Sequence, residues 1–257
     1  MLPKAALPSQ QRIARLCVLS TLALAASFCA NIYYGPRLAT VGDPYPTVFT
    51  RTPQYIVAFW GALYLLQLGY LNALWSNNIK VIGPASGAIG YTFILAHVLK
   101  GFWTLAWLKK EFVISETVIL LNLLNLFSAY TSLHRKDPTP STRSWIQNHL
   151  PVRFFLSITM MDVLHNGAIA FPQLLRGDRV LPTTWVAGLA ALALSSLYHD
   201  SVLRFVIALH FAVLGVEQKH LSLVQYQDIS CFIIAGLSAA LGVKALFTTK
   251  ASKSKNK

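Results

Sequence analysis

Long apolar runs separated by short polar clusters organise this chain. Eight of them reach or approach the roughly 20 residues that a helix needs to cross a bilayer. They fall at approximately 13–34, 53–75, 84–108, 112–131, 152–172, 181–198, 202–217 and 229–247. Apolar positions are continuous rather than alternating, the pattern of helices embedded on all sides rather than of half-buried strands. The expected fold is all-α, a polytopic transmembrane helix bundle of about eight spans. Lys4, Arg12 and Arg15 precede the first run, and Ser27-Phe28-Cys29-Ala30 would suit the end of a signal peptide. The apolar character continues to Tyr34, however, which favours a retained helix.

One polar connection is long, 132–150, and its Pro138 and Pro140 prevent a continuous helix through it. The basic stretch from Lys250 closes the chain as a tail.

Composition agrees with this pattern. Apolar residues make up 54% of the 257 residues and charged residues 12%, against the roughly 25% charged of soluble domains. The net charge of +13 raises the question of a nucleic-acid partner, but the Lys and Arg residues occupy loops and tails without a basic helical stripe. No nucleic-acid partner is expected; the lipid bilayer is. On alternating topology the N-terminal side holds 14 of these cations, among them Arg12, Lys80, Arg135, Arg153, Arg204 and the tail lysines. The opposite side holds 7: Arg37, Arg51, Lys109, Lys110, Arg176, Arg179 and Lys219. Positive charge marks the cytoplasmic side, so both termini are expected there.

Cys17, Cys29 and Cys231 sit inside apolar runs and read as buried free thiols. The chain has no Asn-x-Ser/Thr sequon. Its terminus, Lys253-Ser254-Lys255-Asn256-Lys257, resembles a di-lysine retrieval signal of the endoplasmic reticulum in Lys253 and Lys255, although a basic cytoplasmic tail alone gives the same pattern.

The second run begins at Pro53 and contains Trp60-Gly61-Ala62-Leu63-Tyr64-Leu65-Leu66-Gln67. Trp60, Tyr64 and Gln67 share one helix face. An indole, a phenol and an amide need polar partners, so this face meets other helices or a cavity rather than lipid. This segment resembles the second helix of the TspO/MBR, or tryptophan-rich sensory protein, family. The likeness continues in order with Trp103 and Trp107 in the third run, the short Lys109-Lys110 turn, Pro151 opening the fifth run, and Asn166 within it. The approach Asp43-Pro44-Tyr45-Pro46-Thr47-Val48-Phe49-Thr50 and the ending Gly215-Val216-Glu217-Gln218-Lys219-His220 look like those of longer relatives.

The resemblance implies a five-helix core over 1–172, three added helices over 173–247 and a cytoplasmic tail at 248–257. It also implies a central pocket of the kind that accepts porphyrins, sterols or synthetic ligands, lined here by Trp60, Tyr64, Gln67, Trp103 and Trp107. This chain departs from the family pattern at Ile158, where tryptophan is usual, and at Lys100, where asparagine is usual. The cofactor therefore stays unassigned.

A charge inside a span costs about 2.5 kcal/mol or more unless it is paired or reaches water. Lys100 and Asp162 lie at similar distances from the ends of their runs, with His97 one turn from the first and His165 and Asn166 about one turn from the second. Their expected arrangement is one buried polar cluster of His97, Lys100, Asp162, His165 and Asn166, either a structural ion pair or a ligand-anchoring, proton-responsive site. His210 reads as a hydrogen-bonded structural histidine, and Asn122 and Asn125 as contacts between helices.

No helix-borne metal pair, phosphate loop, dinucleotide fingerprint or triad is present, so no catalytic or metal-binding residue is assigned. The expected function is a non-enzymatic binder of a sterol-, lipid- or tetrapyrrole-like molecule. A small-molecule or proton-coupled transporter and an accessory or scaffold subunit, with membrane-protein partners or a second copy, are the alternatives.

Overall fold

The computed structural model describes residues 10–42, 44–173 and 180–255, with side chains as far as Phe247. It is all-helical, with no strand among the described residues. Eight long helices follow in order: α1 Gln10–Gly42, α2 Pro53–Leu74, α3 Ile79–Leu108, α4 Phe112–Lys136, α5 Leu150–Ala170, α6 Val180–Leu197, α7 Ser201–Leu221 and α8 Gln227–Lys255. Seven are long and apolar enough to cross a membrane. The exception is α5, whose Arg153, Asp162, His165 and Asn166 dilute an otherwise apolar helix.

Several helices run past their expected ends: α4 reaches Lys136, α7 Leu221, and α8 Lys255, through residues expected as a tail. The first span was expected to stop near Tyr34, but α1 continues through Pro36 to Gly42. There Leu38 O accepts a hydrogen bond from Trp107 Nε1 at 3.2 Å. Although α3 starts at Asn78, whose side chain caps Lys80 N, its regular winding is interrupted at Pro84. Proline lacks the N–H that closes the turn, and Ala85–Ile89 form a π-helical turn before regular α-helix resumes at Gly90. Gly90 has φ +31, a conformation that disfavours residues with a Cβ. A second π-helical turn, Trp145–His149, leads into α5.

The chain forms two compact units. The first comprises Met1–Asp43 and Ala58–Thr159; the second, Pro44–Val57 and Met160–Lys257. Helices α2 and α5 therefore contribute residues to both. In the first unit, Leu16, Leu63, Tyr70, Leu74, Ile119 and Tyr130 are almost completely buried. Tyr70 donates to Ala85 O at 3.3 Å, within the π-helical turn. Large apolar side chains such as Leu65 and Leu121 remain exposed on its outside, the inverse of a soluble domain and the pattern expected in lipid.

In the second unit glycines allow close helix packing. A Cβ placed on Gly188 of α6 would lie 2.7 Å from Ile234 Cδ1 of α8, and one on Gly215 of α7 would lie 3.0 Å from the Phe232 ring. Arg204, near the start of α7, donates to Leu241 O at 2.7 Å and to Ser196 Oγ at 3.1 Å. Its charge thus lies against the α8 backbone rather than lipid.

Candidate functional site

In the first unit, the aromatic face of α2 meets α3 around a cation. Lys100 Nζ lies 4.4 Å from the Trp60 ring centroid and 3.6 Å from that of Trp103, and the lysine is only 5% exposed. Cation–π contacts out of water contribute about 2 kcal/mol each, the scale of the roughly 2.5–3.5 kcal/mol cost of a mid-span lysine. Two indoles therefore offset much of what a single apolar wall could not. Trp103 stacks on Trp107 at 5.6 Å, and Trp60 packs against Tyr64 and Phe155, each at 5.8 Å.

The phenol of Tyr64 is hydrogen-bonded to α1: Asn31 Nδ2 donates to its oxygen, and its hydroxyl donates to Ser27 O at 3.3 Å. Gln67, one turn along α2, is fully buried, and neither its amide nitrogen nor its oxygen has a partner among the described residues. Beside it lies a cavity of about 10 Å³ walled by Tyr70, Phe93, Val152 and Phe155, room for about one water. The five residues expected to line a pocket are thus all buried. Four surround packed aromatic and lysine atoms, and Gln67 borders the small void.

The larger opening lies between α1 and α3. It is a groove of about 390 Å³ lined by Ala23, Ala26, Ser27 and Ala30 on one side and by Val98, Gly101, Phe102 and Leu105 on the other. Its floor includes His97, which is 3% exposed and has no hydrogen-bond partner on either ring nitrogen among the described residues. A buried polar group left without a partner costs about 1–3 kcal/mol, so His97 is an unfilled polar position in a largely apolar groove.

The second unit contains a separate polar network. Arg51, two residues ahead of α2, donates through Nη2 to Asp162 Oδ1 at 2.7 Å. His165 Nδ1 lies 3.2 Å from Thr47 Oγ1, and His210 Nδ1 lies 2.7 Å from the Tyr55 hydroxyl. Gln218 Nε2 donates to Thr47 O at 3.1 Å, while Gln227 Nε2 donates to Val48 O at 3.2 Å and to Thr184 Oγ1 at 2.9 Å. The approach segment 44–52 is therefore fastened to α5, α7 and α8 by side-chain hydrogen bonds.

The five residues expected as one polar cluster fall into both units: His97 and Lys100 in the first, Asp162, His165 and Asn166 in the second. Lys100 has indole faces and Asp162 has Arg51. Arg51, Tyr55, Gln218, Gln227, Ser27 and Asn31 were absent from the sequence-derived site. Arg51 reads from sequence as one more loop cation, and only the polar Thr47–Thr50 approach beside it hints at a buried role. His210 has the hydrogen bond expected of a structural histidine. Asn125 donates to Thr92 O at 2.8 Å, joining α4 to α3, whereas the buried amide of Asn122 has no partner among the described residues.

In the 137–149 connection, His149 Nε2 lies 3.1 Å from Asp137 Oδ2, which also accepts from Ser144 Oγ at 2.6 Å. Burial and the neighbouring Arg153 guanidinium hold the His149 imidazole below its ordinary range, against the opposing pull of Asp137. Its Nδ1 is buried without a partner, which suits a neutral ring donating from Nε2. Lys253 and Lys255 stand on the last turns of α8, and their side chains lie outside the described residues.

Membrane-length helices with lipid-compatible exteriors and buried polar interiors define a multi-pass integral membrane protein of the α-helical class. The family model for TSPO-like proteins matches residues 12–243, so the chain belongs to that family, and the match extends from α1 into α8. No curated protein and no solved structure matches the chain.

Proposed function

We propose that this protein is a non-enzymatic binder of a hydrophobic ligand, held in the first unit along the α1–α3 groove. The observation carrying this reading is His97: a buried imidazole with no hydrogen-bond partner among the described residues, lining a largely apolar groove of about 390 Å³ whose other polar residues are Ser27, Tyr34 and Thr104. Ligand sites are typically apolar clefts with a few placed polar groups, and a groove opening toward lipid would admit its ligand sideways from the bilayer. The shape and chemistry suit a lipid- or sterol-like molecule whose single hydroxyl or carbonyl meets the ring. Trp60, Tyr64, Trp103 and Trp107 act in this reading as the rigid wall behind α3 and α1, with Lys100 filling the space between the indoles of Trp60 and Trp103.

Mass spectrometry of lipids retained by the detergent-purified protein tests the proposal. One neutral species should be enriched over bulk membrane with wild type. Its retention should fall by up to tenfold in His97→Leu, the value of one hydrogen bond of about 1.4 kcal/mol, and persist in His97→Gln. Equal lipid profiles for wild type and His97→Leu would overturn the assignment.

Both termini are placed on the cytoplasmic side in this reading, supported by the charge asymmetry between loops, and the Lys253/Lys255 pair would then hold the protein in the endoplasmic reticulum. Replacing both lysines with serine should move a tagged protein from reticular to post-reticular membranes. Unchanged reticular staining would remove the retrieval role.

A further inference from the structure

Arg51 poses a separate problem in the second unit. Its side chain is 3% exposed and Nη2 is committed to Asp162, yet Nε and Nη1 are buried without a hydrogen-bond partner among the described residues. Those two nitrogens carry three of the five N–H bonds of a guanidinium, a group that does not give up its charge. Leaving charged donors bare in a protein interior costs more than leaving neutral ones bare, so the arrangement calls for an oxygen ligand.

The surroundings specify what kind. Gln227, the first residue of α8, bonds both Val48 O and Thr184 in the first turns of α6. Arg51 itself lies two residues ahead of α2. The N-terminal ends of three helices thus gather around the 47–53 segment, each contributing the positive end of its dipole. Asp162 Oδ1 already takes Nη2, and Gln218, with its amide nitrogen bonded to Thr47 O, leaves Oε1 unpartnered on the same side. Glu217 and Lys219 lie near the end of α7 and Asp228 at the start of α8. The cluster meets the surface beside Asp162, whose side chain is 12% exposed, and His165, which is half-buried. Helix ends of membrane-length helices lie at headgroup depth.

From this geometry we infer that Arg51 anchors a phosphate-binding site at the interfacial end of the second unit through Nε and Nη1, with the dipoles of α2, α6 and α8 adding positive potential. Arginine and helix N-termini are the two protein groups best matched to phosphate oxygens. The phosphate belongs to an anionic phospholipid headgroup or to the free ion. This site does not depend on the α1–α3 groove, and either can fail without the other.

The test uses the delipidated full-length protein in neutral detergent, with thermal unfolding followed as phosphatidic acid, phosphatidylcholine or inorganic phosphate is added. Phosphatidic acid should raise the melting temperature saturably, phosphatidylcholine should not, and Arg51→Lys should weaken the apparent affinity for phosphatidic acid at least tenfold, read against that variant's own melting temperature in phosphatidylcholine. An equal effect of inorganic phosphate assigns the site to the free ion; an effect of the lipid alone assigns it to a headgroup. Should Arg51→Lys not fold, the paired variant Arg51→Met/Asp162→Leu takes its place and must lose the response. No saturable stabilisation of wild type by either phosphate source, or a variant responding like wild type, overturns the proposal.

Discussion

Arg51→Met will destabilise the protein by about 3–5 kcal/mol, the cost of leaving one member of a buried ion pair without its partner. The remaining Asp162 carboxylate would stand in a helix interior with a 2.7 Å contact removed. Simultaneous Asp162→Leu should recover most of that loss, because an apolar pair of similar volume avoids the desolvation cost altogether. Equilibrium unfolding in mixed micelles reads both values. If the double variant is no more stable than the single, the pair is not coupled and the network must be held by Thr47, Gln218 and Gln227 instead.

Gly188→Val should have a comparable effect through packing. A Cβ at this position already meets Ile234 at 2.7 and 2.8 Å, far inside van der Waals contact, and isoleucine is branched at Cβ and stiff about χ1. The α6–α8 contact must open or Ile234 must leave its rotamer, at a cost of about 1–3 kcal/mol for an overpacked core. Ile234→Ala makes room and should restore stability in combination, although alone it leaves a cavity and destabilises. Additive losses in the double variant would show that the two side chains do not meet.

Helix positions were legible in the sequence because hydropathy and length report them directly. The eight expected runs correspond to the eight helices, and errors concentrate at ends such as Gly42, where α1 passes through a proline that reads as a terminator. Membership of the TSPO-like family was legible too, carried by the order of Trp60, Tyr64, Trp103, Trp107 and the short Lys109-Lys110 turn rather than by one string.

Side-chain partnership was less legible. Counting residues from the ends of apolar runs places Lys100 and Asp162 at similar depth, but depth says nothing about which neighbour a flexible cation selects. Indole faces are apolar in a hydropathy profile, so nothing there announced that Trp60 and Trp103 would take Lys100. Arg51 was hidden differently. As a cation just outside a span it fits the orientation pattern, and its burial follows from hydrogen bonds made by Gln218 and Gln227, about 170 residues away. Short-range periodicity cannot carry that information.

The groups without a partner among the described residues, Gln67, His97 and Nε and Nη1 of Arg51, had no signature at all. Their identity as polar residues was visible, yet their lack of partners is a property of the packed neighbourhood. For that reason the aromatic face of α2 was the natural sequence-level focus, whereas the α1–α3 groove emerges only with coordinates.

For the proposed ligand-binding role, the ammonium between Trp60 and Trp103 would also set a selectivity rule. Paired indoles attract organic cations, and a core that presented them bare would be open to cationic amphiphiles of many kinds. By lodging Lys100 on both faces, the chain makes that attraction intramolecular and repels a second positive charge. Discrimination against cationic guests would thus be built into the helix that also bears His97.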